Sequence, residues 1–319
     1  MASSLDTHVP VLMQPVLDGL AVQSDGTYVD ATAGRGGHAA EILGRLGKGG
    51  RLILLDRDPQ AVAACQDRFQ GDGRVTVHHA PFSQLQLVLH TMGIEGVQGI
   101  LADLGVSSPQ LDQAERGFSF RQAGPLDMRM DPTKGERAAD WLARASQEEI
   151  SEVLQEYGEE RFAWRIARAI VTARNEKPLE TTAELAALVA KVVPGREPGK
   201  DPATRSFQAI RVLINQELDE LGILLDQVES VLVPGGRLAI ISFHSLEDRM
   251  VKRFMRQGAK GHQIHPDLPI PETQLPMAPW RLIGKAIRAD SQEVARNPRA
   301  RSAVLRVAER TRDQPDGRR

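Results

Sequence analysis

Residues 28–38 read Tyr-Val-Asp-Ala-Thr-Ala-Gly-Arg-Gly-Gly-His, a β-prone run that enters a glycine-rich turn and leaves it as a helix. Glycines there let a ligand approach the backbone closely, and the free amides of the helix N-terminus face it. A strand, glycine turn and helix in that order constrain the chain to an α/β layer, and the same alternation recurs downstream. Apolar, β-rich runs lie at 27–30, 51–56, 75–79, 99–103 and 237–243, with helix-like stretches such as 38–46 and 59–69 between the first four. Asp58 is placed to cap the second helix and Pro59 to fill its first turn, where a missing N–H costs nothing. The pattern predicts a doubly wound, mainly parallel sheet with helices on both faces.

Between the fourth and fifth strands more than a hundred residues intervene, where a simple crossover needs a few tens. An inserted, mostly helical domain over 110–206 is the economical reading, leaving 1–109 and 207–319 as a discontinuous cofactor domain. Within the insertion 151–157, 161–174 and 181–193 read as helices, and Thr181 with Glu184 has capping-box spacing. Prolines and glycines mark 194–202 as a linker. From 204 to 225 the spacing of Phe207, Ile210, Leu213, Ile214 and Leu218 predicts one helix returning the chain to the sheet. Val233-Pro-Gly-Gly236 is the expected turn into the fifth strand.

The 319 residues carry a formal charge of -2, so a nucleic-acid partner would have to meet a local basic surface. The single cysteine, Cys65, excludes an internal disulfide and a multi-cysteine metal site. No metal ligand set is expected. No basic-then-apolar leader and no apolar run of spanning length is visible, so the expectation is a soluble, cytoplasmic chain that does not enter a membrane.

Asp56 closes the second strand 22 positions after Gly34, the distance at which a carboxylate meets ribose hydroxyls in nucleoside-binding folds. Two cofactor classes fit: a nicotinamide dinucleotide, making an oxidoreductase, and S-adenosylmethionine. The glycines at 34, 36 and 37 depart from G-x-G-x-x-G spacing. Asp30 moreover puts a carboxylate where a sulfonium and amino group are welcome and a pyrophosphate is repelled. Both features favour the methyl donor. Phe82 fits either an adenine contact or core packing. Asp103 ends the fourth strand at the edge where open α/β sheets bind ligands, and opens Asp103-Leu-Gly-Val-Ser-Ser-Pro-Gln110.

Several longer segments occur together: His8-Val-Pro-Val-Leu12, Asp30-Ala-Thr-Ala-Gly-Arg-Gly-Gly-His38, Asp56-Arg-Asp-Pro59, Asp103-Leu-Gly-Val-Ser-Ser-Pro-Gln-Leu-Asp112 and Arg116-Gly-Phe-Ser-Phe120. They continue with Gly124-Pro-Leu-Asp-Met-Arg-Met-Asp131, Arg205-Ser-Phe-Gln-Ala-Ile-Arg211, Ser242-Phe-His-Ser-Leu-Glu-Asp248 and Asn297-Pro-Arg-Ala-Arg-Ser302. In this order they closely resemble the bacterial 16S ribosomal RNA cytosine-N4 methyltransferases, the RsmH or MraW family. The resemblance implies a Rossmann-like class I fold and S-adenosylmethionine held by Gly36, Gly37, His38, Asp56, Phe82, Asp103 and Gln110. It also implies a decoding-region cytidine of 16S rRNA in the small subunit as substrate. A homodimer is left open. So is a ribosome-assembly factor that keeps the fold without catalysis.

An exocyclic amine is a poor nucleophile, because its lone pair is delocalised into the ring. An acceptor at the end of the fourth strand would help by taking a hydrogen bond from it, which makes Asp103 the candidate catalytic residue. The Asp-Leu-Gly-Val order lacks the double proline and aromatic common at this point, so stacking must come from elsewhere. Phe118 and Phe120, between Arg116 and Arg121, are candidates for it, and equally for packing beneath their own loop. Cys65, inside a helix, is badly placed for covalent attack on a ring carbon. His244 and Asp248 should face the same sheet edge, Asp248 also being spaced to cap with Ser245. For RNA, Arg161, Arg165 and Arg168 fall within about 60° on a helix, and 281–319 holds 11 Lys/Arg against 5 Asp/Glu.

Overall fold

The computed structural model describes residues 10–194, 201–260 and 277–311. They form two compact units, one from Met1–Gly105 with Asp219–Arg319 and the other from Val106–Leu218.

The first unit opens with α1 (Met13–Leu20), β1 (Thr27–Asp30), α2 (Gly37–Arg45), β2 (Arg51–Asp56), α3 (Pro59–Arg68), β3 (Val75–His79), α4 (Leu85–Thr91) and β4 (Val97–Asp103). Asp58 caps α3 by accepting the Gln60 N–H at 3.0 Å, with Pro59 in the first turn. Consecutive strand residues point to opposite faces. Val29, Ile53, Leu55, Ile100 and Ala102 therefore pack in one core, while Tyr28, Leu52, Leu54 and Leu101 pack in another. Burial of the sheet on both faces explains why these strands read as continuous apolar runs, each full-size side chain contributing about 1.5–3 kcal/mol.

The second unit holds α5 (Ser108–Asp112), α6 (Ala138–Arg144), α7 (Gln147–Gly158), α8 (Ala163–Glu176), α9 (Thr182–Val192) and α10 (Thr204–Asn215). Its core of Ile150, Leu154, Ile166, Ile170, Leu185, Val189, Phe207 and Ile210 is separate from the two sheet cores. Thr181 and Glu184 form the capping box expected of α9. Most of the proline-rich linker at 194–202 lies outside the described residues.

The single helix predicted over 204–225 is two. Gln216 adopts φ 51°, ending α10, and α11 (Glu217–Val231) starts at once. Phe207 and Ile210 pack within the helical unit, whereas Leu221, Leu224 and Val228 pack on the sheet. The helical unit thus runs to Leu218 and begins at Val106.

After α11 come β5 (Leu232–Ser242), α12 (Ser245–Lys260), β6 (Trp280–Leu282), β7 (Ile287–Arg288), α13 (Ser291–Arg296) and β8 (Val304–Arg310). The sheet order is β3-β2-β1-β4-β5-β8-β6, with β7 also on β8. The first five strands are parallel, and β8 is antiparallel to β5, β6 and β7. The Pro-Gly-Gly segment is an excursion inside β5, since Leu232 pairs with Val97 and pairing resumes at Arg237 with Gly99. The sequence pointed to five strands, and among the described residues the sheet has eight. Charges hide β8, whose Arg306 and Glu309 are neutralised by Asp248 and by Arg237 and Arg281.

Candidate active site

The carboxyl ends of β1, β2 and β4 meet at one edge. Beyond β1 the backbone still bonds to both neighbours, Ala31 N–H to Leu101 O and Ala33 N–H to Leu55 O. It then turns through Gly34 and Gly36, at φ 53° and 74°. A Cβ on Gly36 would lie 2.6 Å from the Phe69 ring, and one on Gly37 would lie 2.5 Å from Pro10. These glycines therefore let the turn pack against its own supports as well as bare its amides. Asp56 holds the turn from the next strand, its two carboxylate oxygens accepting the Gly34 and Asp58 N–H groups at 2.8 Å each. Each carboxylate oxygen retains a lone pair for a ribose hydroxyl.

Acidic groups converge here. Burial lifts the Asp30 carboxyl to about 7, against the Thr32 N–H bond and with help from Asp56. Burial likewise lifts Asp56 to about 6 despite its two backbone bonds. Asp103 is raised well above the usual carboxylate range by burial and by the Asp30 and Glu247 carboxylates. Its N–H donates to Thr32 Oγ1 at 2.6 Å, and its Oδ2 lies 3.7 Å from His38 Nδ1. The other oxygen, Oδ1, is buried without a hydrogen-bond partner. Buried acceptors are rarely left unmade, so this one is suited to a ligand.

His38 is buried, with Nε2 3.0 Å from the Val11 carbonyl. A carbonyl only accepts, so Nε2 carries the proton and in the neutral ring Nδ1 offers a lone pair toward Asp103. The histidine thereby bonds α2 to the N-terminal segment and faces the end of β4 at 3.7 Å.

Phe82 begins a single 3₁₀ turn after β3 and packs, half-buried, on the adjacent core. Gln110 lies in the helical unit, where its Oε1 accepts the Ser107 N–H at 2.9 Å at the start of α5. The stacking candidates are packing residues instead: Phe118 is 6 % exposed, and Phe120 meets Phe207 edge-on at 4.9 Å. Arg116 is buried beside them, donating to the Met130 carbonyl at 2.8 Å. Asp248 is committed to a two-pronged ion pair with Arg306 on β8, at 2.7 and 3.0 Å. Glu247 is the acid the sequence reading missed. It is 2 % exposed, accepts the Phe243 N–H at 2.8 Å and lies 3.0 Å from His244 Nε2. Its spacing in His244-x-x-Glu247 was the available signal.

Cys65 sits beneath the turn in α3, its thiol donating to Gly34 O at 3.3 Å and pushed up to about 12, chiefly by burial. It is structural, so Cys65→Ser is expected to keep most turnover with a modest loss in thermal midpoint. Failed turnover in a folded, donor-binding variant would restore the case for covalent catalysis.

Residues 6–311 match the MraW methylase family. The chain belongs to that family. It is 59% identical over 303 residues to the "Ribosomal RNA small subunit methyltransferase H" of Thiobacillus denitrificans, covering 95% of this chain and 97% of that protein. The protein of the same name from Neisseria meningitidis serogroup B is 53% identical over 304 residues, covering 95% and 93%. Among solved structures, an rRNA methylase from Streptococcus thermophilus aligns at a TM-score of 0.43 and 12% identity, covering 96% of this chain and 100% of that one.

As an MraW methylase the chain takes S-adenosylmethionine as its methyl donor. The residues fit that group: burial raises the carboxyls of Asp30, Asp56 and Asp103, a sulfonium and an ammonium beside them would favour their ionised forms, and Asp103 Oδ1 is a buried acceptor. Family membership removes the oxidoreductase reading. Among the described residues no helix is long and apolar enough to cross a membrane.

Proposed function

We propose that the chain methylates the exocyclic N4 of a decoding-region (P-site) cytidine of 16S rRNA, acting in the cytoplasm on the small subunit. The observation that carries this reading is the buried, unpartnered Asp103 Oδ1 beside the glycine turn, at the carboxyl end of β4. Support for the substrate comes from the names of the relatives, which are small-subunit ribosomal RNA methyltransferases. Gly36, Gly37, His38, Asp56, Phe82, Asp103 and Gln110 form the proposed donor site. Gly36 and Gly37 shape the cradle, Asp56 takes the ribose, and Phe82 packs by the adenine. His38 lies beside Asp103.

When bound, S-adenosylmethionine would supply an electrophilic methyl on a sulfonium whose leaving group is a neutral thioether. Asp103 accepts a hydrogen bond from the cytidine amine and aligns its nitrogen with that methyl. As the N–C bond forms the nitrogen becomes cationic, and the carboxylate stabilises it until a proton is lost. The products are N4-methylcytidine, S-adenosylhomocysteine and a proton.

Small subunits from a strain lacking this methylation should take label from methyl-labelled donor, with the label in N4-methylcytidine after nuclease digestion. Label on another base or ring position would overturn the N4 assignment. No label with a donor-binding enzyme would favour the non-catalytic assembly factor.

A further inference from the structure

We propose that Trp164, at the start of α8 in the helical unit, is a stacking platform for an unpaired RNA base, flanked by arginines that hold the adjoining phosphates. This deepens the proposed RNA substrate reading and rests on it.

Helix α8 buries Ala163, Ile166, Ala167 and Ile170 in its unit's core. Trp164, on the outer side, is 53 % exposed, whereas Trp141 and Trp280 are 7% and 2% exposed. At about 100° per residue, Trp164, Arg165, Arg168 and Thr172 share an outward arc of about 100°, with Trp164 and Arg168 one turn apart. All four are exposed, and no carboxylate occurs from Ala163 to Arg174. Helix α8 starts at Ala163, so Arg161 falls in the turn before it rather than on the helical stripe expected from sequence. It is exposed there and adds its charge to the same end. Arg165 is partly pre-ordered, its guanidinium 5.9 Å from the half-buried Phe162 ring, which leaves less to fix on meeting a phosphate.

A bare indole costs solubility, and arginines alone would suffice for any polyanion. The combination selects a ligand with both a charged backbone and an open π-face, which is single-stranded RNA. A duplex hides its base faces.

Because the other two tryptophans are buried, emission quenching reads Trp164. A short mixed-sequence single-stranded RNA is expected to quench it, while inorganic polyphosphate and a duplex of the same length leave it nearly unchanged. Trp164→Leu should lose the quenching and bind that RNA about 5- to 150-fold more weakly with the same salt slope, and Trp164→Phe should recover most of the loss. Replacing Arg161, Arg165 and Arg168 together by Gln should instead flatten the salt slope and keep the quenching of bound RNA. Wild-type RNA affinity in Trp164→Leu, equal quenching by polyphosphate, or emission that follows protein concentration alone would each overturn the proposal. Normal subunit methylation with wild-type affinity in Trp164→Leu sinks this inference alone. RNA bound through Trp164 with no methylation of subunits sinks the functional reading alone.

Discussion

Asp56→Ala is expected to weaken S-adenosylhomocysteine binding by roughly ten- to a hundred-fold, since charge-assisted hydrogen bonds contribute about 1.5–3 kcal/mol. The carboxylate closes β2 and already accepts the Gly34 and Asp58 N–H groups. Its loss removes the ribose acceptor and loosens the turn together. Asp56→Asn separates the two effects, because the amide keeps one acceptor for the turn and discards the charge. The sign with pH follows from the raised carboxyl: ionised above about 6, Asp56 accepts best there, so wild-type affinity should fall as pH drops through that value. Calorimetry across pH, with thermal midpoints to show that both variants fold, checks this. Unchanged affinity in a folded Asp56→Ala would remove the residue from the donor site.

The first three strands lie within the bounds their composition suggests: β1 and β2, buried on both faces, appear as apolar runs closed by turn residues, while β3, the half-exposed edge strand, shows itself by the β-branched residues of Val75-Thr-Val77. The antiparallel half of the sheet was hidden for the opposite reason. In β8 apolar side chains are interrupted by Arg306, Glu309 and Arg310, whose partners Asp248, Arg237, Arg281 and the Leu232 carbonyl are tens of residues away. The same pairings shrink the basic surface counted from 281 to 319, since Arg306 and Arg310 are held by Asp248 and the Leu232 carbonyl, while Arg281 stays exposed beside Glu309 and residues 312–319 lie outside the described residues. The break between α10 and α11 carried no glycine or proline, and Gln216 takes up the left-handed turn that divides two hydrophobic faces.

At the site, legibility followed sequence locality. The turn of Gly34, Gly36 and Gly37 with Asp56 was visible because strand, turn and helix are contiguous and the acid ends the next strand. Thr32 Oγ1 beneath the Asp103 amide, and Glu247 near its carboxyl, come from segments 71 residues upstream and far downstream. Neither motif announces such a meeting. Phe118 and Phe120 show the reverse failure: aromatics between arginines look like a nucleic-acid surface, yet a loop that folds back on itself uses them as its own core. The exposed aromatic beside arginines is Trp164, on a helix whose periodicity is legible although nothing in the sequence marks its ring as exposed.

The largest effect is expected at Asp103. Asp103→Asn keeps the size of the side chain and one carbonyl acceptor but removes the charge that stabilises the developing ammonium. The single-turnover rate at saturating donor and subunit should fall by about two orders of magnitude or more, near 2.7 kcal/mol of transition-state stabilisation. The geometry gives the residue one tether and one free end: its N–H donates to Thr32 Oγ1, its Oδ2 faces His38 Nδ1 at 3.7 Å, and its Oδ1 is buried and unpartnered. Burial and two neighbouring carboxylates favour the protonated form. A bound cation acts in the other direction, lowering the carboxyl's pKa and restoring the charge at the moment it is needed. The wild-type rate should therefore decline on the acid side, while the weak residual rate of Asp103→Asn stays flat there. Donor affinity must be measured separately, since this residue also belongs to the proposed donor site. If the saturated rate is normal and only donor affinity falls, Asp103 is a cofactor ligand and its catalytic role is lost.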